Sequence, residues 1–407
     1  MGGAADKRSF GGSFIFLLAM ITALDAMAID MYLPAFPVVA QQLAVSPGQV
    51  QQTLSVFLVG LALGQALYGP LLDRFGRRMP LLIGLLVFVA GSAMAAMAGS
   101  LEWLLFARFL QALGAAAGLV APRAIVSDVY TVQESARVFS VLMQVMMVAP
   151  ILAPVIGSFL LVHAGWRSIF WVLALIAALG TAWGWRAIAE TLAPERRAPL
   201  QLSAIFRAYW RQCCNRPFLA YALAGGFVLG SLFVYISASP FVLIEHFGWT
   251  PTYFSYFFAS NAVGLMLAGQ LGMWLQRRWS EQRILVLGLA WHTAMGLVLV
   301  ACSLSGAAPL WLYAELLALA IWSLGLVFGN LTALTMAQAG GQAGVASALM
   351  GSLQYLLSAC VGLALSLVTP GLLPLPLTLV LCGALALLCC GWAVRPFNAG
   401  RTAAARG

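Results

Sequence analysis

The chain has 407 residues, of which 62% are hydrophobic and only 8% are charged, and its formal net charge is +9. A soluble domain carries about 25% charged residues, so this composition excludes a soluble globule and indicates that lipid surrounds most of the chain. The basic residues lie between apolar segments, which favours membrane orientation over nucleic-acid binding as their role.

Apolar runs recur along the chain between charges and Gly or Pro breaks. A helix needs about 20 such residues to cross a bilayer. The first run contains acids and is too long for a cleavable leader, so we expect it to remain as a spanning helix. We predict an all-α membrane protein with twelve spanning helices, near residues 14–37, 50–72, 79–99, 102–125, 138–162, 168–189, 217–243, 252–275, 284–304, 308–334, 342–368 and 373–394.

Basic residues occur in alternate predicted connections. They include Lys7, Arg74, Arg137, Arg196, Arg277 and Arg401. The intervening connections hold almost none, Arg167 being the exception. By the positive-inside rule, both termini and the long central connection face the cytoplasm.

That central connection, residues 190–216, is polar and basic and divides the chain into halves of six spans, 1–189 and 217–407. A weak repeat supports the division, since the run from Gly69 to Arg74 after span two resembles the run from Gly272 to Arg277 after span eight. Two six-helix repeats with a site between them at mid-membrane form a known transporter architecture. One chain then holds both halves of a complete cavity, so we expect a functional monomer.

Charged residues inside spans are expensive and therefore need a role. Asp25 lies near the middle of span one, and Asp30 about 7 Å further towards the outside. Arg108 in span four lies at a similar depth, so an Asp30–Arg108 pair is feasible if the two helices face each other across a cavity. A carboxylate in that setting can alternate between protonated and ionised forms, as a proton-coupled carrier requires. A static ion pair that only fixes helix packing is the alternative.

Other polar and aromatic side chains within the spans are candidates for a substrate cavity. Glu315 faces either the cavity or the membrane interface. Intramembrane amides more often join helices than bind ligands, and any single aromatic residue is as well explained by lipid contact. The candidates are Tyr32, Gln111, Tyr235, Asn261 and Glu315.

Span five combines small residues at four-residue spacing with Pro150 and Pro154, and ends this pattern at Gly157. Small faces allow close helix packing, and proline bends a helix. The pattern predicts a bent, tightly packed gate helix, with generic small-residue packing as the alternative.

The sequence lacks the motifs of hydrolases, metalloproteases and nucleotide-binding loops, and it has no Cys/His cluster with metal-ligand spacing. We therefore expect neither an enzyme nor a catalytic or metal site. Without a nucleotide site, transport must draw on a gradient, and no cofactor other than the proton gradient is needed.

Several motifs together resemble a known family. The run from Gly69 to Arg78 is similar to the loop 2–3 signature of the major facilitator superfamily. The runs from Arg108 to Gly114 and from Ala149 to Gly157 resemble signatures of its proton-coupled drug antiporters. The runs Ile29–Ala35 and Ser237–Val242 resemble the Bcr/CflA subfamily, the bicyclomycin- and chloramphenicol-resistance exporters.

The resemblance implies alternating access in a bacterial inner membrane, with efflux of small amphipathic compounds driven by inward proton flow. It assigns proton coupling to Asp30 with help from Arg108, Asp25 being a further candidate. It also implies an inner gate that stabilises the outward-open state. The gate residues are Gly69, Asp73, Arg74, Gly76, Arg77 and Arg78.

One position departs from the family pattern. The family often has Arg directly before the Asp-x-Tyr that follows span four, whereas this chain has Ser127 before Asp128. Arg123 lies four residues earlier, on the same helical face. We predict that Arg123 takes over the contact to Asp73.

Two other functions stay open at this stage. The same fold suits an importer, permease or exporter for an endogenous metabolite such as a nucleoside, an amino-acid derivative or a peptide. A membrane sensor or membrane-embedded enzyme is less consistent with the absence of catalytic clusters and of an appended soluble domain.

Overall fold

The computed structural model of the protein describes residues 12–197, 202–305, 309–339, 343–369 and 371–394. Lys7 and Arg401, which contribute to the predicted orientation of the termini, lie outside these residues. The described part is built from α-helices and contains no strand. The helices are α1 (Gly12–Asp30), α2 (Phe36–Gln42), α3 (Pro47–Phe75), α4 (Arg78–Ala96), α5 (Leu101–Val129), α6 (Val132–Ala164), α7 (Trp166–Ala187), α8 (Leu202–Cys213), α9 (Arg216–Pro240), α10 (Pro251–Leu275), α11 (Glu281–Ser305), α12 (Leu310–Trp322), α13 (Leu324–Met336), α14 (Ala343–Ser366) and α15 (Pro374–Val394).

Eleven segments of the described chain are long and apolar enough to cross a membrane. Helix α10 has 25 residues, a length within the range of these eleven segments, but Asn261 and Gln270 lower its hydropathy. With α10 included, the twelve predicted spans are confirmed, and the protein is an all-α, multi-pass membrane protein.

Two predicted spans are broken rather than continuous. The first consists of α1, a 3₁₀ turn over Leu33–Ala35 and α2, because Pro34 and Pro37 each remove a backbone donor. The tenth is interrupted at Ser323, between α12 and α13, where the Ser323 hydroxyl donates to the carbonyl of Ala320 at 2.7 Å. Hydrophobic runs do not reveal such breaks, since the residues on both sides remain apolar.

Local sequence signals determine where several helices begin and end. Ser46 and Gln49 form a reciprocal capping box at the start of α3, and Thr131 with Glu134 does the same for α6. Helix α3 ends at Gly76, which adopts a φ of +89°. This left-handed conformation favours glycine, so the sharp turn into α4 depends on it.

Helices α1 to α7 pack mainly with one another, and α9 to α15 do the same. The two groups meet along α3 with α14 and along α6 with α10. We call the end that carries the Arg74–Arg78 loop the basic end, and the other the opposite end. Gln52 Nε2 donates to Ser366 Oγ, and Ser158 Oγ to Thr252 Oγ1, both at 3.3 Å and both at the opposite end.

The predicted central connection contains a helix that the sequence analysis did not anticipate. Helix α8 packs against α9 and α14. At its end, Gln212 Nε2 and the side-chain amide of Asn215 donate to the carbonyl of Gln338 at 3.2 and 2.9 Å. The connection is therefore fixed to the second group of helices over this part.

Candidate functional site

The candidate residues do not converge on one cavity but form four groups. One surrounds Arg108 inside the first half. A second contains the two acids of α1, where the halves face each other. A third lies at the basic end around Asp73, and Glu315 lies on the outer surface.

Arg108 is fully buried in an aromatic enclosure. Its guanidinium carbon lies 4.2 Å from the ring centre of Phe57, 5.2 Å from Tyr32 and 5.7 Å from Phe170. Cation–π attraction strengthens when the cation is removed from water, so three rings partly replace its hydration.

A hydrogen-bond chain extends from this enclosure into α4. Arg108 Nη1 donates to the carbonyl of Ala28 at 3.0 Å and to Gln111 Oε1. Gln111 Nε2 donates in turn to Ser92 Oγ at 2.8 Å. Arg108 Nε and Nη2 are buried and make no described hydrogen bond.

The expected pair between Asp30 and Arg108 is not formed, since none of the described ion pairs includes either residue. Helices α1 and α5 pack directly instead of facing each other across a cavity. Arg108 meets the backbone at Ala28, and two residues turn a helix by about 200°. Asp30 therefore lies on the other face of α1, at its last residue.

Both acids of α1 are buried where the two halves meet. Asp30 interacts electrostatically with Asp25 and with Tyr235 of α9. Asp25 interacts with Arg123 and with Tyr355 of α14. Two acids of the first half are thus within electrostatic range of two tyrosines of the second.

Tyr235 begins a polar chain through the second half. Asn261 donates through Nδ2 to the Tyr235 hydroxyl at 3.0 Å, and Trp322 Nε1 donates to Asn261 Oδ1 at 3.0 Å. The ring of Tyr235 is stacked on Phe258 with centres 5.5 Å apart. The candidates Tyr235 and Asn261 are therefore neighbours, and both are buried.

Glu315 does not face the region between the halves. Its side chain is exposed on the outer surface of α12, in a groove shared with α10. Of the two predicted positions, the structure favours the one towards the membrane.

At the basic end, Arg77 joins the loop after α3 to the end of α5. Its Nη1 donates to Asp73 Oδ1 at 2.7 Å, and its Nε donates to Asp128 Oδ2 at 2.8 Å. Burial alone would lower the pKa of Arg77, but the hydrogen bonds and charges of Asp128 and Asp73 raise it above its usual value. The guanidinium is thus a fixed cation between two carboxylates.

Glu190 anchors the same loop from the start of the central connection. Its carboxylate accepts from the backbone N–H groups of Arg77 at 2.8 Å and Arg78 at 3.3 Å, at the beginning of α4. A side chain on Gly76 would collide with this carboxylate. Arg78 also donates to the carbonyl of Trp185 at 2.7 Å. The loop is therefore held both to α7 and to the connection that follows α7.

The predicted contact between Arg123 and Asp73 is corrected by this arrangement. Asp73 pairs with Arg77 of its own loop, and Arg77 reaches α5 through Asp128. Arg123 instead interacts electrostatically with Asp25. The residue spacing suggested the right helix but not which of its side chains reaches the loop.

The remaining candidates have distinct surroundings. Arg74 is exposed, and a side chain at Gly69 would meet nothing within 4 Å. Pro150 and Pro154 lie inside α6. The backbone of Gly157 lies against the carbonyl of Met31, so closely that a Cβ atom would not fit. Helix α6 therefore packs tightly against the chain that follows α1.

Sequence reasoning missed Glu190, Asp128, Tyr355 and Trp322 as members of these groups. A signal existed for two of them. Asp128 lies in the Asp-x-Tyr sequence after span four, and Glu190 is the first acid after span six. Tyr355 and Trp322 lie in apolar runs, where composition alone does not distinguish a residue between the halves from one that contacts lipid.

Comparison with known sequences identifies related proteins. Residues 18–363 match the model of the Major Facilitator Superfamily. An uncharacterized MFS-type transporter, YdgK of Bacillus subtilis, is 38% identical over 85% of this chain and 86% of its own length. A bicyclomycin resistance protein homolog of Haemophilus influenzae is 31% identical over 86% and 87%. A chloramphenicol resistance protein of Pseudomonas aeruginosa is 34% identical over 73% and 72%.

Solved structures agree with the architecture. The crystal structure of a D-xylose-proton symporter superimposes with a TM-score of 0.75 over 92% of this chain and 96% of that protein, at 13% sequence identity. A bacterial homolog of the human lysosomal transporter Spinster, in an inward-facing conformation, gives a TM-score of 0.71 at 16% identity over 96% and 98%. At such identities the likeness concerns the fold alone.

Proposed function

This chain belongs to the major facilitator superfamily, and we propose that it exports small amphipathic compounds, antibiotics among them, in exchange for protons. The proposal places it in the bacterial inner membrane with the basic end and both termini in the cytoplasm, as the positive-inside rule indicates. Relatives named for bicyclomycin and chloramphenicol resistance support the direction and class of transport.

The observation that carries the proposal is the pair of acids where the halves meet. Asp30 is 4% exposed and Asp25 is 5% exposed, and neither belongs to a described ion pair. An ionised carboxylate is costly to bury without a cation. Proton uptake and release at these residues is therefore coupled to whether water reaches them, which changes as the halves move.

Alternating access supplies the movement. The contacts at Gln52 and Ser366 and at Ser158 and Thr252 lie at the opposite end, so this conformation is closed towards the outside. In the proposed cycle, a substrate enters from the cytoplasmic side and the basic end then closes. Asp30 afterwards receives a proton from the outside, and return to the present conformation releases it inwards.

Transport in vesicles with an imposed pH gradient tests the role of Asp30. In Asp30→Asn the side chain no longer titrates, so accumulation of bicyclomycin or chloramphenicol against its gradient should be lost. Exchange of labelled for unlabelled substrate without a gradient should persist, because it needs no net proton movement.

Asp25→Asn removes the other buried carboxylate, and loss of accumulation in this variant as well would assign the coupling to both acids. If Asp30→Asn retained accumulation driven by the pH gradient, Asp30 would not be the coupling residue. A growth-inhibition panel in an efflux-deficient host tests export itself, since the chain should raise resistance to compounds that it transports.

A further inference from the structure

Helices α10 and α12 form a groove on the outer surface that plays no part in the cycle above. Its volume is about 540 Å³, within the range of roughly 300–1,000 Å³ typical of small-molecule sites. The residues that line it are Phe257, Trp311, Ala314, Glu315, Ala318, Leu319 and Trp322.

The groove contains a single charged group among aromatic walls. Glu315, Leu319 and Trp322 are spaced three and four residues apart, so they lie on one face of α12. Trp311 precedes Glu315 by one turn and is 62% exposed. No described hydrogen bond or ion pair involves Glu315, and the other lining residues carry no charge.

The depth of the groove fits a membrane-dissolved ligand. Glu315 lies about 7.5 Å along the helix axis from Leu310, and Trp322 lies about 18 Å from it. Since the hydrocarbon core is about 30 Å thick, the carboxylate is near the outer boundary of the core and Trp322 is near its middle. An apolar ligand whose charge lies within reach of the carboxylate would match this gradient of polarity.

The inner wall is linked to the coupling acids. Gly264 of α10 leaves room for the indole of Trp322, whose Nε1 donates to Asn261 at 3.0 Å. Asn261 bonds to Tyr235, which interacts with Asp30. A ligand that displaces Trp322 would therefore disturb the surroundings of Asp30.

We propose that this groove binds lipophilic organic cations from the outer leaflet, with Glu315 as the counter-charge and Trp311 and Trp322 as aromatic walls. A carboxylate repels the phosphate of an anionic lipid and attracts a cation. Indole rings also attract cations through their faces. The inference rests on the proposed function only in treating these cations as compounds that the protein transports. Occupancy of the groove itself can be measured without transport.

Labelling of Glu315 with dicyclohexylcarbodiimide tests the site directly. This apolar reagent modifies carboxyl groups that are accessible from lipid, and mass spectrometry of the peptide that carries Glu315 reports its reaction. Purified protein in phosphatidylglycerol bilayers should react at Glu315, and tetraphenylphosphonium should slow the reaction at least about tenfold at saturation. Tetraphenylborate, of the same shape and opposite charge, should give no protection.

One variant tests the aromatic wall, and a second tests whether the labelling is specific to Glu315. Trp322→Leu should weaken protection by tetraphenylphosphonium about three- to tenfold. Glu102→Gln, which removes another exposed acid near the same membrane surface, should leave the labelling of Glu315 and its protection unchanged.

Three results would overturn the inference: no reaction at Glu315, equal reaction with and without the cation, or equal protection by tetraphenylborate. Protection by phosphatidylethanolamine in the bilayer would assign the groove to a lipid headgroup instead. Retention of pH-driven transport in Asp30→Asn, which would contradict the proposed coupling, would leave these labelling results unchanged, so failure of the proposed function is distinguishable from failure of this site.

Discussion

Arg108 is the most deeply buried charge in the described part of the first half, and its partners are rings and neutral oxygens rather than an acid. A buried cation without a carboxylate reduces stability, and replacing such a group by an apolar side chain is often neutral or stabilising. Its retention in this chain is therefore better explained by transport than by folding.

Replacement of Arg108 by methionine should separate these two effects. We expect Arg108→Met to abolish pH-driven transport while the midpoint of thermal unfolding in detergent stays unchanged or rises by a few degrees. Arg108→Lys should also transport poorly, because an ammonium group cannot reproduce the contacts of the planar guanidinium with the rings of Phe57, Tyr32 and Phe170. A marked fall in the midpoint for Arg108→Met would instead assign Arg108 to the fold.

Glu190 offers a second prediction at the residue scale. Glu190→Ala removes the acceptor for two backbone N–H groups at the start of α4, which should cost about 1–2 kcal/mol. Thermal unfolding in detergent measures this loss, and Glu190→Gln should lose less because it keeps one acceptor. Glu195→Ala, at an exposed position of the same connection, is the control and should leave the midpoint unchanged.

The sequence located the candidate residues better than it predicted their contacts. Asp25, Asp30 and Arg108 are identifiable because a charge within an apolar run is rare. Their partners depend on helix rotation and on which helices pack directly, and these are set by small residues such as Gly118, which lies against Ile21. For the same reason, the prediction that α5 contacts the Arg74–Arg78 loop was right, but the side chain that makes the contact is Asp128 and not Arg123.

At the scale of elements, the pairing of α3 with α14 has a regular register. Gly48 lies against Ser366, and the Ser352 hydroxyl donates to the carbonyl of Ala62 at 3.1 Å. Gly69 is seven residues beyond Ala62, on the same face of α3. In this register it is opposite residues 345–348, yet its surroundings are empty. The helices thus separate towards the basic end.

Gly69→Leu should therefore destabilise the conformation in which the basic end is closed, and not the present one. The added side chain fits the present conformation but would obstruct the approach of α14 when the basic end closes. We expect unchanged thermal stability and a loss of transport of at least about tenfold. Gly391→Leu, at another glycine with open surroundings, should transport normally. Normal transport by Gly69→Leu would show that the two helices do not close at this level.

Helix existence was predictable from apolar runs because twenty consecutive apolar residues have few alternatives in a bilayer. Breaks within the helices were less predictable from the sequence. Pro34 marks the break in the first span, but the tenth is interrupted at Ser323 without any proline, where the side chain bonds to the carbonyl of Ala320. Helix α8 lies in a basic stretch that gave no apolar run to detect.

At the scale of the whole molecule, the two halves should rotate so that the ends open in turn. Spin labels at Phe75 and Gly344 would report the basic end, and labels at Gln41 and Leu367 the opposite end, in a background without the seven cysteines. On addition of substrate, the first distance should shorten and the second should lengthen together. Movement at one end only would contradict alternating access.

The attachment of Glu190 to the Arg77 loop also sets a limit on how far the halves can part. The connection is held to the first half through Glu190, whose carboxylate also accepts from the N–H of Leu192 at 2.9 Å. Helix α8, which packs on the second half, begins at Leu202. Only the nine residues 193–201 lie between these points, and a chain of that length reaches about 30 Å when extended. By its length alone, this segment limits how far the two groups of helices can separate at the basic end, and lengthening or shortening it should shift that limit without altering any residue of the site.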